Sequence, residues 1–189
     1  SVRIQAKSAD NMKNLILLRG PSAVGKTAVA KSLILHIKDK LKEDCAYIAE
    51  DDFRKQMQWK YKSDDRIAHT NSVPLIKAVI LELEKIDDYR VIVIEGLFRY
   101  KEMIEQYKTF CKENKYKLHI FQLTASLKVR KERNKLSAVR DHVVDFEKKH
   151  SRGDGEEIPV KDSIIIDTTQ PIEYVVNEIV SCIKSRVNE

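Results

Sequence analysis

Gly20-Pro21-Ser22-Ala23-Val24-Gly25-Lys26-Thr27 is the stretch on which the reading of this chain turns. Two glycines with four residues between them, then lysine and a hydroxyl residue, form the pattern of a phosphate-binding loop. Ahead of it, Asn14-Leu15-Ile16-Leu17-Leu18 is a short apolar run that predicts a buried strand. Behind it, apolar residues at 29, 30, 33, 34 and 37 follow helical spacing. Strand, glycine loop and helix in that order are the setting this motif requires. Gly20 and Gly25 let the backbone bend and approach closely, so the loop's N–H groups point into one hollow at a helix N-terminus. The predicted nucleotide contacts are Gly20, Ser22, Ala23, Val24, Gly25, Lys26, Thr27 and Ala28. Lys26 reaches the β- and γ-phosphates as a point charge, and Thr27 offers its hydroxyl to Mg²⁺.

The 189 residues suit one domain, and 42% hydrophobic residues can fill a core. No apolar run is long enough to span a membrane, and residues 1–11 lack the apolar centre of a signal peptide. Those residues are expected to be an appended or disordered leader, with Met12 the natural start and 12–189 a single domain. Cys45, Cys111 and Cys182 are scattered and odd in number, which points to a reduced, cytoplasmic setting. The five histidines show no metal-ligand spacing. A net charge of +6 suits anionic partners, nucleotide phosphates among them, and does not by itself indicate nucleic acid.

Farther along, Cys45–Ala49 predicts a second strand, running into Glu50-Asp51-Asp52-Phe53-Arg54. A polar stretch with Met57, Trp59, Tyr61 and His69 extends to about Asn71, and the next helix carries Pro74 near its first turn, where proline is tolerated. Arg90–Gly96 predicts a third strand, 100–115 a helix, Lys117–Leu123 a fourth strand and Ser126–Asn134 a charged helix, with a further helical piece over 138–149. Ser151–Gly155 is a loop by composition. Ser163–Asp167 predicts a fifth strand. A last helix from about Pro171 places Ile172, Val175, Val176, Ile179, Ile183 and Val187 on one stripe. Alternating strands and helices imply an α/β fold with a parallel sheet between helical layers. The apolar runs in strands 1, 3 and 5 read as central strands.

In such a sheet, ligands collect at the carboxyl ends of the strands. Three groups stand there besides the loop. Asp51 and Arg54 are three apart on a nascent helix and converge on one face; a carboxylate there can take an acceptor's proton and a guanidinium can grip an anionic part of it. The plainer reading of Asp51 is a helix cap. Glu95, ending an apolar strand, can hold Mg²⁺ or its waters, or merely cap a turn with Gly96. Arg130 and Arg133, three apart with Arg140 beyond, read either as a clamp closing over a transferring phosphoryl group or as a solvated charged face.

In order and spacing, Gly20–Thr27, Asp51–Arg54, Arg130/Arg133 and Ile164–Thr168 resemble the P-loop kinases of the nucleoside-monophosphate-kinase-like group. Within it the chain is most similar to zeta toxins, chloramphenicol phosphotransferase and polynucleotide 5′-hydroxyl kinase. The resemblance implies a three-layer P-loop NTPase fold with a five-stranded parallel sheet in the order 2-3-1-4-5 and a helical lid over about 126–150. It implies ATP- and Mg²⁺-dependent phosphoryl transfer, with Asp51 as general base and Asp52, Arg54 and Glu95 on the substrate side. Lys26, Arg130 and Arg133 would serve the phosphates, and adenine would lie near the loop around Thr168–Pro171, against Thr169. Many relatives carry an aspartate where Glu95-Gly96 stands.

The expected acceptor is a small-molecule alcohol, with a nucleic-acid 5′ end as the alternative. A nucleotide switch or regulatory ATPase module is the competing class. The guanine-reading Asn-Lys-x-Asp is missing, because Asn114-Lys115-Tyr116-Lys117 and Asn134-Lys135-Leu136-Ser137 both lack the acid.

Overall fold

A computed structural model of the chain describes residues 13–56, 65–86, 89–136 and 160–187. In chain order the elements are β1 (Lys13–Arg19), α1 (Lys26–His36), β2 (Cys45–Ala49), α2 (Glu50–Gln56), α3 (Asp65–Ile86), β3 (Val91–Gly96), α4 (Lys101–Glu113), β4 (Tyr116–Thr124), α5 (Leu127–Leu136), β5 (Ile164–Asp167) and α6 (Ile172–Val187). Helix α1 runs on into a π-helical turn over Ile37–Leu41. The five strands form one parallel sheet in the order β2-β3-β1-β4-β5, as expected.

Alternation along the strands divides the core into two layers. Ile16, Leu18, Val91, Val93, Phe121 and Leu123 face α1 and α6, where Val29, Leu33, Val176 and Ile179 meet them. Leu15, Leu17, Ile92, Ile94 and Ile120 face the other way, onto Val73, Ile76 and Ile80 of α3 and Met103, Tyr107 and Phe110 of α4. Each fully buried aliphatic side chain is worth about 1.5–3 kcal/mol. A one-residue slip of β1 would exchange its two apolar sets and move every polar group at its end to the wrong face.

Three expectations are corrected. Strand β5 is an edge strand and not a central one: Ile165 is 68% exposed, and β4 takes the buried place between β1 and β5. A run of three isoleucines says apolar but not central: among the described residues Ile166 is buried against α6 and Ile165 is left exposed. Pro74 lies in the interior of α3, which already begins at Asp65. There it supplies no N–H to the carbonyl one turn back, and packing of the helix on the sheet outweighs that loss. On α6 the buried stripe is Val175, Val176, Ile179 and Val180, while Ile172 is 38% exposed. The leader, Met57, Trp59, Tyr61, Arg140, the 138–149 piece, most of the expected lid and the Ser151–Gly155 loop lie outside the described residues.

Candidate active site

The glycine loop leaves β1 and enters α1 at the carboxyl edge of the sheet. At Gly20 the backbone φ is +155°, and an added Cβ would lie 2.6 Å from the Leu123 carbonyl oxygen, so no larger residue fits. Ala23 takes a left-handed φ of 61° in the turn. Lys26 folds back across the loop, its Nζ 2.9 Å from the Gly20 carbonyl and 3.1 Å from that of Pro21. Thr27 and Ala28 are exposed on the first turn of α1.

Strand parity then sorts the acids. Val91 and Val93 face α1, so Glu95 does too, and the Thr27 hydroxyl donates to its Oε2 at 3.1 Å. Tyr47, pointing the same way from the neighbouring β2, donates its phenol to Glu95 Oε1. Burial first, and then that hydrogen bond, push the Tyr47 phenol pKa up, so it stays a donor at physiological pH. Glu95 is 5% exposed, and among the described residues no lysine or arginine forms an ion pair with it. Two adjacent hard oxygens, a threonine hydroxyl and a glutamate carboxylate, fit Mg²⁺, which binds through one or two protein ligands and keeps several waters. Thr27 and Glu95 are the residues that would hold it.

On the opposite face, the residue after β2 is Glu50, fully buried. It opens α2, and the helix brings Glu50, Asp51 and Arg54 together at spacings of four and three. Arg54 Nε sits 2.9 Å from Glu50 Oε1, while Nη2 of the same guanidinium bonds Asp51 Oδ1. Asp51 and Arg54 thus meet, as their spacing predicts. Burial pushes the Asp51 pKa up, but Arg54, followed by Lys26 and His69, outweighs it and holds the carboxyl below its ordinary value. Lys26 is therefore near enough to act electrostatically on Asp51. Asp51 keeps 44% side-chain exposure, whereas Arg54 has 4%. Asp52 is exposed.

A third group ties the loops together. Arg133, on α5, donates from Nη1 to the Val24 carbonyl at 2.9 Å and to the Thr168 hydroxyl at 3.0 Å, and from Nη2 to the Thr168 carbonyl at 2.5 Å. The Thr168 hydroxyl lies 2.7 Å from the Val24 carbonyl. Arg133 thus joins α5, the glycine loop and the turn after β5. That turn is shaped by Asp167, whose carboxylate accepts the Thr169 N–H at 2.9 Å and its hydroxyl at 2.8 Å. Arg130, three residues before Arg133 on α5, is half-buried.

Sequence reasoning missed Glu50, Tyr47 and Ser72, and placed Thr168 beside the base without its bonds to Arg133 and the Val24 carbonyl. Parity would have found Tyr47, two residues before Ala49 on the strand beside Glu95. Glu50 carries no such signal, because its partners His69 and Ser72 arrive from α3, a helix whose start was placed too late.

Solved structures match the chain over almost its whole length. The Mycobacterium tuberculosis APS kinase CysC in complex with AMPPNP and APS gives a TM-score of 0.68 at 12% identity, over 92% of this chain and 98% of that one. A tunicamycin resistance protein of Deinococcus radiodurans gives 0.63 at 18%, over 90% and 95%. A gluconokinase from Sinorhizobium meliloti gives 0.61 at 16%, over 88% and 89%. No protein-family model matches the chain, and no curated protein sequence matches it. At such identities the likeness speaks for the fold, which is that of the small P-loop kinases.

Proposed function

We propose, starting from a chain folded as a small P-loop kinase, that it transfers the γ-phosphoryl group of ATP to the hydroxyl of a small molecule. The observation that carries this is Asp51: a half-exposed carboxylate oriented by Arg54 and close enough to Lys26 of the glycine loop to feel its charge. Asp51, held ionised, orients the acceptor hydroxyl and takes its proton as the new O–P bond forms and the bond from the γ-phosphorus to the β–γ bridging oxygen breaks, releasing ADP. Lys26 moves from the Gly20 and Pro21 carbonyls to the phosphates, exchanging weak neutral acceptors for charged ones. Bound Mg²⁺ would supply charge neutralisation at the phosphates. In this reading Arg133, bonded to the Val24 carbonyl, braces the loop, Arg130 serves the phosphates and Thr169 contacts the base. Neighbours named for gluconate and for APS support a small-molecule acceptor over a nucleic-acid end.

A γ-phosphate transfer screen read by mass shift tests the proposal, across nucleosides, 5′-hydroxyl oligonucleotides and aminoglycoside- or chloramphenicol-type alcohols. One class should gain a phosphate with ATP and Mg²⁺. Lys26→Ala should lower that rate by at least about 10²–10³-fold. A preference for GTP with no transfer to any acceptor would leave a nucleotide switch in its place.

A further inference from the structure

Arg54 is placed to hold Asp51, but a guanidinium on a short helix is mobile unless something holds it in turn. The structure supplies that support in Glu50. Its side chain has no solvent exposure, and Oε1 meets Arg54 Nε at 2.9 Å, His69 Nδ1 at 3.1 Å and Ser72 Oγ at 3.1 Å. His69 and Ser72 both come from α3, and both are buried. The chain of contacts runs from α3 to Glu50, from Glu50 to Arg54 and from Arg54 to Asp51.

Gly96 shows how tightly the space is drawn. A Cβ built there would fall 2.8 Å from Glu50 Oε2, 3.0 Å from Glu50 Cβ and 3.2 Å from Phe98 Cζ. Glu50 therefore lies directly over the end of β3, and the absence of a side chain at 96 is what admits it. Its neighbour Glu95 points to the other face, onto Thr27, so the dipeptide Glu95-Gly96 serves both halves of the site.

We propose that Glu50, seated over Gly96 and fixed by His69 and Ser72, is the positioning residue for the general base: it commits Arg54 to bracing Asp51 instead of gripping the acceptor. Its Nε faces Glu50, its Nη2 bonds Asp51 and its Nη1 is buried as well, so at 4% exposure the guanidinium is turned into the protein and not toward an anion on the substrate. The consequence is kinetic. Asp51 is aimed, and misaiming a reacting group by an ångström costs up to about a hundredfold in rate.

This inference rests on the kinase reading above, and a double-mutant cycle separates the two. Transfer is measured on whichever member of the acceptor screen the wild-type protein phosphorylates, together with ATP affinity by titration and the unfolding temperature. Asp51→Asn should lower kcat by about 10²-fold or more. Glu50→Gln, close in shape but uncharged, should lower kcat by about tenfold to a hundredfold, with the Michaelis constant of the acceptor and the ATP affinity changed by less than about twofold. In the Asp51→Asn background, Glu50→Gln should then have no further effect, because there is no base left to aim. Gly96→Ala, which crowds Glu50 from the sheet side, and the milder Ser72→Ala should repeat the pattern if Glu50→Gln folds poorly. Full additivity of Glu50→Gln and Asp51→Asn overturns the inference, as does a raised acceptor Michaelis constant at unchanged kcat, which would return Arg54 to the role of substrate clamp. If Asp51→Asn leaves transfer intact, it is the kinase reading that falls.

Discussion

Two buried glutamates stand at the ends of adjacent strands, and they are partnered in opposite ways. Glu95, ending β3, faces α1 and receives two hydroxyls, from Thr27 and Tyr47. Glu50, following β2, faces α3 and receives a guanidinium, an imidazole and one hydroxyl. Their exposures are nearly the same, 5% and 0%. What differs is whether the fold brings the cation. At Glu50 it does, and a buried carboxylate with its own arginine is a structural element, costly to dismantle. At Glu95 it does not, among the described residues. A desolvated carboxylate flanked by neutral donors is arranged for positive charge that arrives from outside, as a metal ion does. The pair thus separates the part of the site that holds itself together from the part that waits for the nucleotide.

Alanine substitutions should break or confirm that contrast most visibly. Glu50→Ala leaves Arg54 buried with only half-exposed Asp51, and should destabilise the protein by about 3–5 kcal/mol, a fall in unfolding temperature of roughly 10 °C. Glu95→Ala should destabilise by less, about 1–2 kcal/mol, since it removes two hydrogen bonds but no ion pair. Its effect belongs to the metal: ATP affinity in Mg²⁺ should fall by about 10–100-fold, with affinity in EDTA unmoved. If Glu95→Ala melts the protein as Glu50→Ala does, the two carboxylates are equivalent and the division is lost.

Much of the donor half was legible in the sequence, and little of the bracing was. The five strands were found to within a residue or two because parallel strands are continuous apolar runs, and the glycine loop because its backbone needs leave few residue choices. Asp51 and Arg54 were paired from helical spacing alone. Glu50 was not, because its partners lie on α3, nineteen and twenty-two positions away, and a contact between elements has no local signature. The interior proline hid the helix that delivers them. Arg133 shows the same limit from the other side. A basic helix after strand 4 suggested phosphate contacts, and the structure adds bonds from Arg133 to the Val24 and Thr168 carbonyls that the sequence did not suggest. Oxygen acceptors of the backbone look like nothing in a sequence. The cysteines were read as reduced, and for Cys45 and Cys111 burial suits inertness: it pushes the Cys111 thiol up to about 12, and that of Cys45 upward as well.

Smaller effects sharpen the comparison. Tyr47→Phe removes one of the two hydroxyls on Glu95 while keeping the ring, and a single side-chain hydrogen bond is worth on the order of 1 kcal/mol. The Mg²⁺ concentration needed for half-maximal ATP binding should therefore rise by about fivefold, without a shift in metal-free ATP affinity. An equal loss with and without Mg²⁺ would make Tyr47 part of the general packing, and Glu95 would lose its special standing.

The smallest effect is on the pH dependence of stability, and it separates Asp51 from the ion pair beneath it. Burial opposes ionisation of Asp51, but Arg54, with Lys26 and His69, prevails, so its folded pKa lies below the ordinary value of 3.8. The unfolded chain then binds this proton first as pH falls. The stabilisation is complete above about 3.8 and drains away as pH drops through the lower folded value. Because Asp51 is 44% exposed, solvent screening limits it to less than about 1 kcal/mol. Unfolding temperatures of the wild type and Asp51→Asn, followed from about pH 6 down to about pH 2.5, should differ by a constant amount in the upper range and converge below pH 4. Curves that stay parallel throughout would mean that Arg54 holds Glu50 alone, and that Asp51 is not under its grip.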